Sequence, residues 1–168
     1  MIRNVTDSDH AAITALYNHY IAQTVATFEE QAISHAQMAE RVASVATQGL
    51  PWLVAEAAGE IIGYAYASLW QSRSAYRFSV AATIYLHPQH TGQGWGRQLY
   101  QPLFARLRQE GHCHAVVAGI TLPNSASQKL HETMGMTKVA HFSEVGFKFG
   151  QWWDVGYWQL TFAEAAGN

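Results

Sequence analysis

Apolar positions recur along this chain with two periods, and the places where the period changes divide it into elements. Between residues 8 and 22, Ile13, Leu16, Tyr17, Tyr20 and Ile21 fall at i, i+3, i+4, i+7 and i+8, the stripe of an amphipathic helix. Asp7 and Ser8 precede it as cap candidates. Ser34 with Gln37 three residues on is a capping box, and Met38, Val42 and Val45 follow on one face of a second helix. The connection between them, 23–33, carries Thr27-Phe28-Glu29-Glu30, which reads either as a substrate-facing lid or as a helix end with a packed Phe. Trp52 to Glu56 and Ile61 to Trp70 predict a hairpin across the turn Ala57-Ala58-Gly59-Glu60. In Phe78 to Leu86, apolar Phe78, Val80, Ala82, Ile84 and Leu86 alternate with Ser79, Ala81, Thr83 and Tyr85, a strand with two different faces.

After a glycine-rich stretch at 92–96, Leu99, Tyr100, Leu103, Phe104 and Leu107 form another helical stripe. Pro102 lies inside it and removes a backbone donor, so a kink is expected there. His114 to Ile120 predicts a short strand. Ser125 and Gln128 predict a capping box for the last helix, with Gly135 as its stop. Lys138 to Phe142 and Gln151 to Phe162 both read as strands. The order β-α-α-β-β-β-α-β-α-β-β is an α/β (α+β) mixture whose centre is a β-α-β crossover. No repeat, linker or low-complexity tract divides it, so residues 1–168 are expected to form one domain.

Composition narrows the function. Hydrophobic residues make up 49% and charged residues 13%, which suits a packed core and not a disordered segment. The net charge is −2 without a basic run, which argues against nucleic acid and anionic membranes as partners. Cys113 is the single cysteine, and Met1 to Asp7 has no apolar stretch of signal type, so a cytoplasmic location is expected. The longest apolar segment, Ile61 to Trp70, is about half the ~20 residues a membrane helix needs.

The sharpest chemical feature is Tyr85-Leu86-His87-Pro88-Gln89-His90-Thr91-Gly92-Gln93-Gly94-Trp95-Gly96-Arg97, a strand and turn followed by glycines that open a helix. Bare backbone N–H groups at the positive end of a helix make a cradle for phosphate. A Walker loop would carry Lys-Ser or Lys-Thr after the last glycine, and Arg97-Gln98 stands there instead. A dinucleotide fingerprint would space its glycines as G-x-G-x-x-G, and these run at intervals of two. A plain tight turn is the bland alternative.

Gln89-x-x-Gly92-x-Gly94 resembles the Q/R-x-x-G-x-G/A motif of the GNAT-type N-acetyltransferases, and the element order is similar to theirs. The resemblance implies a GNAT fold: a mixed, mostly antiparallel twisted sheet flanked by helices, its fourth and fifth strands splayed around the acetyl donor. It implies acetyl-CoA as cofactor, contacted by Tyr85, Leu86, His87, Gly92, Gln93, Gly94, Trp95, Gly96, Arg97, Gln98, Asn124 and Ser127. Nearly the whole chain, through Trp70-Gln71-Ser72-Arg73-Ser74-Ala75-Tyr76, Leu122-Pro123-Asn124, Leu130-His131-Glu132 and the run from Val145 to Gln159, is similar to the phosphinothricin and methionine sulfoximine acetyltransferase branch. That branch consists of homodimers that acetylate the α-amine of glutamate-like compounds.

Acetyl transfer to an amine needs a neutral nitrogen, donors for the tetrahedral oxyanion and a proton for the departing thiolate. By the resemblance, His131 occupies the place where the wider family has a tyrosine general acid, and it lies four residues after Ser127 on one helix face. A histidine hydrogen-bonded within its helix is the structural alternative. Backbone N–H groups near Tyr85 and Leu86 would receive the oxyanion. The branch generally carries a glutamate base where this chain has Ala81. Glu29 or His131 acting through water, an amine that arrives neutral, or a different substrate would each account for its loss. Arg73 is a candidate partner for a carboxylate or phosphinate, with Ala75, Tyr76 and Phe28 as pocket walls. No metal site is expected, because His112 and His114 lack a third ligand at metal spacing. Trp152, Trp153, Tyr157 and Trp158 are expected in the core or a dimer interface. The expectation is an N-acetyltransferase for a small amino-acid analogue such as phosphinothricin or methionine sulfoximine. Acetylation of another small amine, or acyl-CoA binding without turnover, are the alternatives.

Overall fold

A computed structural model describes residues 1–109 and 113–162; His112, half of the proposed histidine pair, lies outside them. The elements are β1 (Ile2–Asn4), α1 (His10–Gln23), α2 (His35–Thr47), β2 (Trp52–Ala57), β3 (Glu60–Leu69), β4 (Ser79–Leu86), α3 (Trp95–Gln109), β5 (Ala115–Leu122), α4 (Ser125–Thr133), β6 (Thr137–Lys148) and β7 (Gln151–Thr161). The strands form one seven-stranded sheet in the order β1-β2-β3-β4-β5-β7-β6, antiparallel throughout except for β4 beside β5.

The alternation along the strands sends two different sets of side chains to the two faces. Leu53, Ala55, Ala65, Ala67, Val80, Ala82, Val116, Ala118 and Ile120 meet Leu99, Tyr100, Leu103, Phe104 and Leu107 of α3. Trp52, Val54, Tyr64 and Tyr85 meet Ile13, Leu16, Tyr17 and Ile21 of α1 and Met38 and Val45 of α2. Each leucine so buried removes apolar surface worth about 1.5–3 kcal/mol from water. The α3 helix continues through Pro102, with Leu99 and Leu103 buried on either side of it.

Element ends differ from the expected ones for local reasons. Asp7 and Ser8 sit inside a short 3₁₀ turn, Asp7–Asp9, and the entry to α1 is fixed by Asp9, whose carboxylate accepts from the Thr6 N–H at 2.8 Å. The α2 capping box is in place: the Gln37 N–H donates to Ser34 Oγ, and the Ser34 N–H to Gln37 Oε1. At α4 the cap is Asn124, whose side chain accepts from the Ser127 N–H at 3.1 Å, so Ser125 is already the first helical residue. The β6 strand runs well beyond Phe142 because the sheet register shifts between Phe142 and Gly146, with Glu144 at φ +50°, and pairing then resumes. That bulge interrupts the apolar alternation. The four C-terminal aromatics divide: Trp158 is in the core, while Trp152 is 60% exposed beside Phe147.

Candidate active site

Strands β4 and β5 pair over only three rungs, Ser79 with Ala115, Val80 with Val116 and Ala81 with Val117. Beyond Ala81 no ladder joins them, although β4 stays paired to β3 as far as Leu86 and β5 to β7 as far as Leu122. The facing edges of 82–86 and 118–122 therefore diverge, and the backbone along them is left for another partner. The Tyr20 hydroxyl of α1 donates to the Leu86 carbonyl at 2.6 Å, tying the end of β4 to the α1 side of the sheet.

The glycine loop starts where that divergence ends. Gly92 and Gly94 have φ of +73° and +84°, a left-handed conformation that side chains resist. The Gly94 carbonyl accepts the Gln98 N–H, so the N–H groups of Trp95, Gly96 and Arg97 have no acceptor within α3. Acidic residues are absent from the first turn, whose Arg97 and Gln98 are exposed. This end of α3 carries both the partial positive charge and the free donors that a phosphate needs.

Two contacts join the loop to α4. A side-chain carbon on Gly96 would stand 2.8 Å from Leu130 Cδ2. One turn further on, the Tyr100 hydroxyl lies 3.0 Å from His131 Nε2, while His131 Nδ1 lies 2.7 Å from the Ser127 carbonyl oxygen and 3.4 Å from its hydroxyl. The carbonyl can only accept, which places the ring proton on Nδ1 and makes the Tyr100 hydroxyl the donor to Nε2. His131 is 3% exposed, and burial pushes its pKa below the ordinary histidine range, so the ring is neutral at pH 7. Among its partners in the described residues, Ser127 is half-buried and Tyr100 fully buried, so its side toward solvent is that of Nδ1 and Ser127.

The opposite face of β4, with Ala81, Thr83 and Tyr85, looks toward α1 and the connection to α2. Tyr85 is surrounded by the rings of Tyr17, Tyr20 and Tyr64. The Tyr17 hydroxyl is 2.9 Å from Thr27 Oγ1. Glu29 pairs with Arg41 at 2.5 Å. Burial pushes the Glu29 carboxyl up, but hydrogen bonds from Arg41 and Tyr17 outweigh it and hold the group below its ordinary value. The half-buried Phe28 packs on Gly146 of β6.

Tyr85 and Leu86 thus lie on the unpaired end of β4, His87 and the glycine loop follow it, Asn124, Ser127 and His131 belong to the cap and turns of α4 after β5, and Phe28 and Glu29 lie in the connection from α1 to α2. The geometry does not bring Arg73, Ala75 and Tyr76 to Phe28 or Glu29 by any hydrogen bond or ion pair among the described residues. They lie in the exposed segment between β3 and β4, at the end of β4 opposite the glycine loop. Three residues in these contacts were not singled out by the sequence patterns: Tyr100, which falls on the apolar stripe of α3, Arg41 and Lys148. Lys148 is 2% exposed and donates to the carbonyls of Thr24 and Thr27.

A mixed sheet parted beside a glycine-opened helix is the frame of an acyl-CoA-dependent acyltransferase. The acetyltransferase (GNAT) domain family matches residues 2–156, and the chain belongs to that family. It is 42% identical over 155 residues to the phosphinothricin N-acetyltransferase of Alcaligenes faecalis, covering 92% of this chain and 78% of that one. It is 37% identical over 165 residues to the L-methionine sulfoximine/L-methionine sulfone acetyltransferase of Salmonella typhimurium, covering 98% and 96%. The crystal structure of a GNAT superfamily phosphinothricin acetyltransferase from Sinorhizobium meliloti in complex with acetyl-CoA superposes with a TM-score of 0.94 at 35% identity, over 99% of this chain and 90% of that one. The chain is an N-acetyltransferase of this family, and acetyl-CoA is its acetyl donor.

Proposed function

We propose that this enzyme transfers acetyl from acetyl-CoA to the α-amine of a small amino-acid analogue of the phosphinothricin or methionine sulfoximine type, as a cytoplasmic homodimer. The parting of β4 and β5 beside the glycine loop carries the donor half of this reading, and the named activities of the relatives support the acceptor half. The pyrophosphate of the donor would rest on the N–H groups opening α3. The thioester arm would lie against the free edge of β4, where N–H groups near Tyr85 and Leu86 stabilise the oxyanion.

In the transfer, the amine lone pair forms a bond to the thioester carbonyl carbon, the C–S bond breaks, and the sulfur leaves with its electrons and takes up the proton that the nitrogen gives up on becoming an amide. Ala81 offers no base, and a Glu29 held acidic by Arg41 is a weak one. The amine therefore enters largely already neutral, and Glu29 serves chiefly to orient Arg41 and its own loop. We assign the passage of that proton from nitrogen to sulfur to the Ser127 hydroxyl, oriented by the Nδ1–H of the neutral His131 ring, which itself keeps its proton. Arg73 and Tyr76 are assigned to the acceptor's acidic group, which requires their exposed segment to fold toward the cleft. For the dimer, the support is the apolar surface of the β6–β7 hairpin, where Phe142, Val145, Phe147, Phe149 and Trp152 are all more than half exposed.

The test is release of free CoA over a panel of acceptors: phosphinothricin, methionine sulfoximine, methionine sulfone, ordinary amino acids and polyamines. Turnover confined to the glutamate-like analogues supports the reading. Turnover with polyamines alone, or none despite acetyl-CoA binding, refutes it.

A further inference from the structure

The connection between α1 and α2, which walls the acceptor in the reading above, has only short local bonds of its own, from the Ala26 N–H to Thr24 Oγ1 and from the Glu29 N–H to Thr27 Oγ1, with Ile33 held by Asn18. Its anchor comes from the far edge of the sheet. Lys148, the last residue of β6, is buried, and its Nζ donates to the Thr24 and Thr27 carbonyls, both at 2.8 Å. Among the described residues no carboxylate forms an ion pair with it, although Glu29 and Glu30 lie near enough to favour its charge; the groups its ammonium bonds are those two carbonyls, three residues apart. An ammonium withdrawn from water in this way is expensive unless its donors are matched, and here the match bends 24–27 around the nitrogen. The hydroxyl of Thr27 then meets Tyr17, and the next residue, Phe28, lays its ring on Gly146, two residues before Lys148. A side-chain carbon on Gly146 would collide with that ring, at 2.1 Å from its tip. Gly146 and Lys148, two positions apart on one face of β6, thus seat one loop.

We propose that Lys148 is a positioning residue for the acceptor: its ammonium, together with the bare backbone of Gly146, holds residues 24–29 in the shape that walls the amino-acid pocket. This rests on the acceptor binding beside Phe28, as proposed above. The clamp touches neither the glycine loop nor α4, so it governs acceptor recognition and leaves donor binding alone.

The experiment uses Lys148→Met, which keeps length without charge, and Gly146→Ala, which leaves Lys148 in place and pushes Phe28 aside. For each, acceptor KM and kcat are measured at saturating acetyl-CoA, acetyl-CoA affinity by calorimetry, and hydrogen exchange of the 24–29 amides in the intact protein. Losing two charge-assisted bonds raises acceptor KM about tenfold or more, with acetyl-CoA affinity held within about twofold and faster exchange confined to 24–29. Unchanged KM, or parallel losses in acceptor KM, donor affinity and exchange across the whole sheet, overturns the proposal. If the parent enzyme turns over no acceptor in the panel, the exchange measurement still decides: unaltered protection of 24–29 in Lys148→Met overturns the clamp, whatever becomes of the acceptor reading. Gly146→Ala carries the same test should Lys148→Met not fold.

Discussion

Placing a carboxylate at position 81 tests how this enzyme obtains a neutral amine. Ala81 is half-buried at the third and last rung joining β4 to β5, opposite Ser68 on one side and Val117 on the other. Its side chain shares a face with Thr83 and Tyr85, so the carboxylate of Ala81→Glu would project toward the acceptor side at the start of the cleft. A positioned general base contributes about 10²–10⁴ in rate. Without one, the rate follows the fraction of neutral amine, which rises tenfold per pH unit below the amine's pKa. From pH 7 to pH 9 the parent enzyme therefore gains up to about 100-fold in kcat/KM. Ala81→Glu gains about 10² or more at pH 7 and has a nearly flat profile, the two enzymes converging toward pH 9. The substitution lowers stability by about 1–3 kcal/mol, because a carboxylate enters a site built for a methyl group. The assay is initial-rate CoA release at fixed saturating acetyl-CoA across that pH range. A flat parent profile, or an Ala81→Glu variant that folds and is no faster at pH 7, would refute the reasoning.

Other expectations follow from the same geometry. His131→Ala lowers turnover at least tenfold while acetyl-CoA affinity stays within a few-fold; unchanged turnover removes His131 from the mechanism. Tyr100→Phe leaves His131 Nε2 unpaired in the core and lowers stability by about 1–3 kcal/mol, near 2–4 °C of melting temperature per kcal/mol in a chain of this size; an unaltered melting curve contradicts the hydrogen bond. Because the folded-state pKa of His131 lies below its ordinary value, the unfolded chain binds that proton more readily. Its effect is absent above about pH 6.5 and becomes destabilising as pH falls below it; denaturant titrations of the parent at pH 7.5 and 5.5 show the loss, and His131→Gln shows less of it. Phe147→Glu, at an exposed position beside Trp152, yields a monomer in sedimentation if the β6–β7 surface joins two copies.

The chain's legibility varied with the range of the interactions involved. The helical stripes and the alternation in β4 are local, and they mark the two faces of the sheet correctly, because each depends only on spacing within one element. The glycine loop was equally readable, since Gly92 and Gly94 are needed for their own backbone angles. What stayed hidden depends on contacts distant in sequence. Lys148 reaches the Thr24 and Thr27 carbonyls across more than 120 positions, and no local pattern distinguishes it from a solvated lysine. Tyr100 sits on the core stripe of α3, so nothing in its spacing tells that its hydroxyl meets His131. The cap of α4 was displaced by one residue because Asn124 and Ser125 are both good cap residues, and the Asn124 amide is the one that reaches the Ser127 N–H. The bulge at Glu144 hid the length of β6 by interrupting its alternation.

Acetylation of an α-amine is decided by the structure of its product. The protein is incubated with carbon-13-labelled acetyl-CoA and methionine sulfoximine at pH 8, and the product is examined by NMR. One labelled product is expected, with the acetyl carbonyl coupled to the α-nitrogen, formed in step with free CoA. Intact sulfoximine beside bound, unspent acetyl-CoA, or label on a side-chain nitrogen, would contradict it.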